Sequence, residues 1–119
     1  MLIIRKAQMA VFEAHMLAQF RQRMAVHLTA AFPDAAGGMT AEALDGLIDA
    51  GIAKAAGYGI TQEGNVQRFL EYMLAHGPGF DTDPETAWAG EVLRMTDVDG
   101  SVKMDWIDER QRQQSEDTP

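Results

Sequence analysis

Between Gly57 and Trp88 the chain reads GYGITQEGNVQRFLEYMLAHGPGFDTDPETAW, and this one stretch writes two helix starts and an abrupt stop in residue chemistry. Val66, Phe69, Leu70, Met73 and Leu74 recur at the three-four spacing of a helix face, and Thr61 stands ahead of them as N-cap. His76-Gly77-Pro78-Gly79 ends that helix, because Gly supplies the left-handed cap and Pro, lacking an N–H, cannot continue the turn. Asp83-Pro84-Glu85 then opens another as N-cap, first-turn proline and first-turn carboxylate. The loop between these fixed ends must present Phe80 and Asp81, which neither capping nor the stripe accounts for.

The rest of the chain follows the same helical grammar. From about Lys6 to Ala31 there is no Gly or Pro, and Met9, Phe12, Met16, Phe20, Met24 and Leu28 recur at intervals of three or four. That run predicts a rod of roughly 39 Å at ~1.5 Å per residue, across which the other helices pack. Phe32-Pro33-Asp34 stops it, and Ala35-Ala36-Gly37-Gly38 reads as loop. Thr40 caps a second helix with Leu44, Leu47, Ile48, Ile52 and Ala55 as its buried stripe and Asp45 and Asp49 on the other side. A third spans about Gln62 to His76, and a fourth runs from Pro84 to about Met95 with Trp88 as its main anchor. Beyond Thr96, alternation in TDVDGSVKMD and the Asp99-Gly100 pair permit a small hairpin near 97–104. A short last helix, Trp106 to about Gln113, follows.

The expected fold is therefore all-α: a compact bundle of four main helices with a long N-terminal helix, plus a short C-terminal helix and that small hairpin. Residues 1–113 form one domain and 114–119 a disordered tail. The core should comprise Phe12, Phe20, Leu28, Leu44, Ile48, Ile52, Phe69, Leu70, Met73, Trp88 and Val92. With 46% hydrophobic and 24% charged residues, the chain is too apolar for general disorder. No cysteine is present, which excludes disulfides, thiolate metal sites and a cysteine nucleophile.

Charge narrows the partners. A net charge of −8 disfavours nucleic acid, whose phosphates it would repel, and favours a basic partner. Its distribution is uneven, +3 over residues 1–31 and −11 over residues 32–119. The first helix could lie against the acidic remainder, or both could be solvated faces. Charged residues punctuate every apolar stripe, so no membrane span is expected. Arg5 and Lys6 interrupt the apolar start, so a signal peptide is not expected either, and the protein reads as cytoplasmic.

Reaction chemistry is hard to assemble from these residues. Asp97, Asp99, Gly100 and Val102 fit the third, fifth, sixth and eighth positions of a calcium loop, but Met95 and Trp106 then occupy the first and twelfth, where carboxylates are needed. His15 and His27 lie on different sides of one helix and cannot chelate a common ion. No hydrolase motif is present, and Gly57-Tyr58-Gly59 follows a helix rather than a strand and lacks the lysine of a phosphate loop. No catalytic, cofactor or metal site is assigned.

The start LIIRKAQM, the long helix ending HLTAAFP, the segment LIDAGIAKAAGYGI and the run NVQRFLEYMLAHGPGFDTDPETAWAGEVL together resemble a family of small, uncharacterised, largely helical bacterial proteins encoded in type VI secretion and toxin gene clusters. The likeness covers most of residues 1–95. It departs at Arg5 and Lys6, where that pattern often has Asp or Ser before the first helix, and in the TDVDGSVKMDWIDE tail. What the resemblance implies is a protein partner from the same gene cluster, a toxin or secretion component. Three roles suit it: an adaptor or chaperone-like accessory for a secreted partner, an immunity protein that blocks a toxin, or a small effector enzyme. Candidate partner-binding residues are Phe80, Asp81, Asp83 and Glu85 in the capped loop, and Arg21 and Arg23 on the basic helix.

Overall fold

The computed structural model describes the backbone of residues 2–117 and the side chains of residues 16–115. Helices α1 (Leu2–Ala31), α2 (Pro33–Gly37), α3 (Ala41–Gly57), α4 (Glu63–His76), α5 (Ala87–Leu93) and α6 (Gly100–Asp117) follow one another, with a single 3-10 turn at Pro84–Thr86 before α5. The described residues contain no strand. The longest dimension, 47 Å, matches the length of α1, about 45 Å at ~1.5 Å per residue.

One core joins all the long helices. Phe20, Met24 and Leu28 of α1 meet Leu44, Ile48 and Ala55 of α3, Val66, Phe69, Leu70 and Met73 of α4, Val92 and Leu93 of α5, and Met104 and Ile107 of α6. Of the expected core, Ile52 and Trp88 are only partly buried against this cluster, and Phe12 lies outside the residues whose side chains are described.

Local chemistry sets the boundaries. Thr40 caps α3 through a 3.0 Å bond from the Ala43 N–H. Pro33 stops α1 at Ala31 as expected, but it then serves as the first residue of α2, so Ala35–Gly37 is a helical turn rather than loop. Thr61 does not cap α4; Gln62 holds that position without a side-chain bond. Gly77 ends α4 at φ +105°, a conformation open to Gly, with its N–H bonded to Met73 O.

The hairpin near 97–104 does not form. Asp99 instead accepts from the Ser101 N–H at 3.0 Å, and its carbonyl accepts from the Lys103 N–H at 2.9 Å, so Asp99 is the N-cap of α6. The apparent alternation at Val98, Val102 and Met104 belongs to a helix start, where Met104 and Ile107 face inward three residues apart. Gly100 is required by proximity: a Cβ there would stand 2.5 Å from the Gly59 carbonyl oxygen. The last helix is consequently long, and it continues through Gln114 to Asp117, into the stretch expected to be unstructured.

Surface polar pairs fasten α1 to its neighbours. Arg21 bonds Asp49 of α3 at 2.8 Å, Arg23 bonds Glu63 of α4 at 2.7 Å, and His27 meets Glu71 of α4 at 2.7 Å. The basic helix thus does lie against acidic ones, through partly exposed pairs that contribute about 0–1 kcal/mol each. Among the described residues no helix is long and apolar enough to cross a membrane.

Candidate functional site

The loop after α4 folds onto its own backbone. Phe80 N–H bonds Gly77 O, the N–H groups of Thr82 and Asp83 both reach Gly79 O, and Thr86 Oγ1 donates to Phe80 O at 2.6 Å. Asp83 accepts from the Glu85 N–H at 2.9 Å, the N-cap geometry expected of Asp-Pro-Glu. Backbone groups satisfied in this way leave the side chains of the loop in fixed directions.

Those directions divide the loop in two. Phe80, 1% exposed, points into the core, its ring 5.1 Å from that of Phe69 and 5.7 Å from that of Tyr72. Asp81, 4% exposed, accepts from Tyr58 Oη at 2.7 Å and from Lys54 Nζ at 3.3 Å. Lys54 also donates to Pro78 O at 2.9 Å, and Arg94 donates to Asp81 O at 3.2 Å. Phe80 and Asp81 therefore anchor the loop to the C-terminal end of α3, and neither is presented to a partner on the surface. Burial, reinforced by the Asp81 carboxylate, pushes the Tyr58 phenol from its ordinary 10.0 up to about 12.

Asp83 and Glu85 face outward. With His76, Trp88, Gln111 and Ser115 they line an open hollow of about 290 Å³ between the loop, the start of α5 and the end of α6. The His76 and Trp88 rings meet edge to face at 5.6 Å, and His76 stacks on Tyr72 at 5.9 Å. Two carboxylates beside an indole suit a cationic side chain, which gains both charge attraction and contact with the ring. The volume lies at the small end of the ~300–1,000 Å³ typical of small-molecule sites, nearer to the room needed by one long side chain. Arg21 and Arg23, engaged by Asp49 and Glu63, belong to a different part of the surface.

Two polar arrangements, the first of them buried, escaped the sequence reading. Lys103, 5% exposed, donates to Tyr58 O and to Leu93 O, both at 2.8 Å. It binds the start of α6 to the C-terminal ends of α3 and α5, where carbonyls lack helical partners and a positive charge suits the helix dipoles. Burial holds its pKa below the ordinary lysine value. The available signal was spacing: Lys103 stands three residues after Gly100 and four before Ile107, on an inward face. Across α4 and α6, Arg68 bonds Asp105 at 2.9 Å and also Asp108, and the Tyr72 hydroxyl donates to Asp108. Burial, then the Asp108 bond, raises the Tyr72 pKa well above the ordinary phenol value.

The acidic segment 97–109 is thus accounted for in part by Asp99 as a cap and by Asp105 and Asp108 as partners of Arg68. Among the described residues no three His, Asp or Glu side chains are grouped to hold a metal ion. No family model matches the chain, and no curated protein or solved structure is similar enough to be matched with it.

Proposed function

We propose that this protein is a protein-interaction module of a bacterial secretion or toxin system, an adaptor or chaperone-like accessory that holds a secreted partner in the cytoplasm. The observation that carries this reading is the hollow of Asp83, Glu85, His76 and Trp88, mounted on a loop that the buried Phe80 and Asp81 hold in place. A rigid acidic and aromatic concavity on a chain of net charge −8 fits a lysine or arginine projecting from a basic partner. Bacterial and secretion context comes from the resemblance over residues 1–95. Immunity is the second reading, favoured by the same acidic surface, which could cover a basic toxin active site.

Co-expression with the product of the neighbouring toxin or secretion gene tests both. Capture of that product, weakened at least tenfold by Asp83→Lys with Glu85→Lys (about 1.4 kcal/mol or more), is the expected result. Loss of secretion without loss of viability then supports the adaptor, and rescue of growth independent of secretion supports immunity. Capture that is indifferent to the double charge reversal removes the hollow as the binding site.

A further inference from the structure

The apolar stripe of α1 outlasts the core that covers it. Leu28, Met24 and Phe20 are buried, but Met16, next in the series, is 41% exposed, and in sequence the series continues to Phe12 and Met9. At the opposite end of the same helix Val26 is 73% exposed. It borders a mostly apolar groove of about 580 Å³ between α1, α2 and α3, lined among others by Ala25, Ala30, Ala36, Met39 and Leu44. Asp45 lines that groove as well, and Asp34 and Glu42 stand exposed on the neighbouring turns.

We propose that this groove receives the N-terminal half of α1 from a second copy of the chain, in an antiparallel α1–α1 homodimer. Two observations select that occupant. The N-terminal segment is apolar and carries Arg5 and Lys6, so it complements the groove in both hydrophobicity and charge. It cannot fill the groove of its own chain, because α1 is one continuous helix that carries residues 2–15 up to about 21 Å past Met16, away from Val26. In the antiparallel arrangement a two-fold axis at the level of residue 17 sets chain position 8 against position 26 of the second copy. Each copy then offers the same patch, and the contact closes on itself. This interface lies apart from the Asp83–Glu85 hollow, and the proposal stands whether or not that hollow binds a partner.

Sedimentation or light scattering on the full chain should give twice the 13.1 kDa mass. Val26→Asp, at an exposed position where circular dichroism should remain unchanged, weakens the dimer at least tenfold. Arg5→Glu with Lys6→Glu weakens it less, and adding Asp45→Lys restores part of the loss. The chain has no cysteine, so Gln8→Cys with Val26→Cys reports the register. Those positions are ~27 Å apart on one helix, well beyond the roughly 7 Å reach of a disulfide, so any bond must join two copies. A monomer at about 100 µM, where a micromolar dimer would be formed, overturns the proposal. So does a dimer indifferent to Val26→Asp, or a monomer whose groove instead takes up an added basic amphipathic peptide. A dimer in which the two cysteines do not bond overturns the antiparallel register.

Discussion

The two ends of this molecule are finished differently. Around the capped loop and the junction of α3, α5 and α6, polar groups are matched to partners, and the basic residues do much of the matching. Of the six basic residues beyond the first helix, four donate to backbone carbonyls: Lys54 to Pro78, Arg94 to Asp81, Lys103 to Tyr58 and Leu93, and Arg110 to Trp88. None of these four cations is bonded to Asp83 or Glu85, which stay exposed on an acidic face. The α1–α2–α3 end has an apolar groove and an exposed valine instead. One end is closed by its own chemistry, and the other has an apolar surface that association would cover.

Damage at the closed end should therefore be costly. Phe80→Ala removes a ring packed between Phe69 and Tyr72 and should destabilise the fold by about 3–5 kcal/mol in urea unfolding. Lys103→Met leaves two carbonyls without their donor and should cost about 1–3 kcal/mol, measured in the same way. Gly100→Ala sets helix propensity, worth up to ~1 kcal/mol in favour of Ala, against a contact of 2.5 Å with the Gly59 carbonyl. Packing should win with a net loss of about 1–2 kcal/mol. A stabilised Ala variant would mean that α6 and the Gly59 turn approach less closely than described.

Tyr58→Phe probes the closed end through pH. Its phenol has a folded pKa of about 12 against 10.0 in the ordinary state. The hydrogen-bonded phenol therefore contributes stability that is fully present below pH 10 and is lost as pH rises to about 12. Phe at this position should cost ~1 kcal/mol at neutral pH and remove this share of the alkaline loss, as read by denaturation at stepped pH. Smallest of all should be Glu85→Lys, an exposed change within about 0.5 kcal/mol of the original stability that nevertheless weakens partner capture.

The order of these effects follows what could be read from the chain. Local signals were legible: Thr40 and Asp83 are caps, Gly77 is a stop, and the stripe from Val66 to Met73 is core, because each depends on residues a few positions apart. Phe80 and Asp81 were singled out as unexplained, but their explanation is nonlocal, residing in Phe69, Tyr58 and Lys54, which only the packed fold brings near. The segment 97–104 misled because Asp-Gly favours a hairpin turn and a helix start alike. What decides between them is the approach of Gly100 to Gly59, which no local pattern encodes. In the hollow, Asp83 and Glu85 were accessible to sequence reasoning, whereas His76, Gln111 and Ser115 reach it only through the crossing of α4, α5 and α6.

Hydrogen exchange on the full chain at two protein concentrations, about a hundredfold apart and spanning a micromolar dissociation constant, tests the contrast between the ends most directly. Amides of α1 and of residues 33–45 should gain protection as concentration rises, while those of the loop 77–86 and the start of α6 should be equally protected at both. Protection along α1 that does not change with concentration, or a loop 77–86 that exchanges as freely as an exposed terminus, would contradict that contrast.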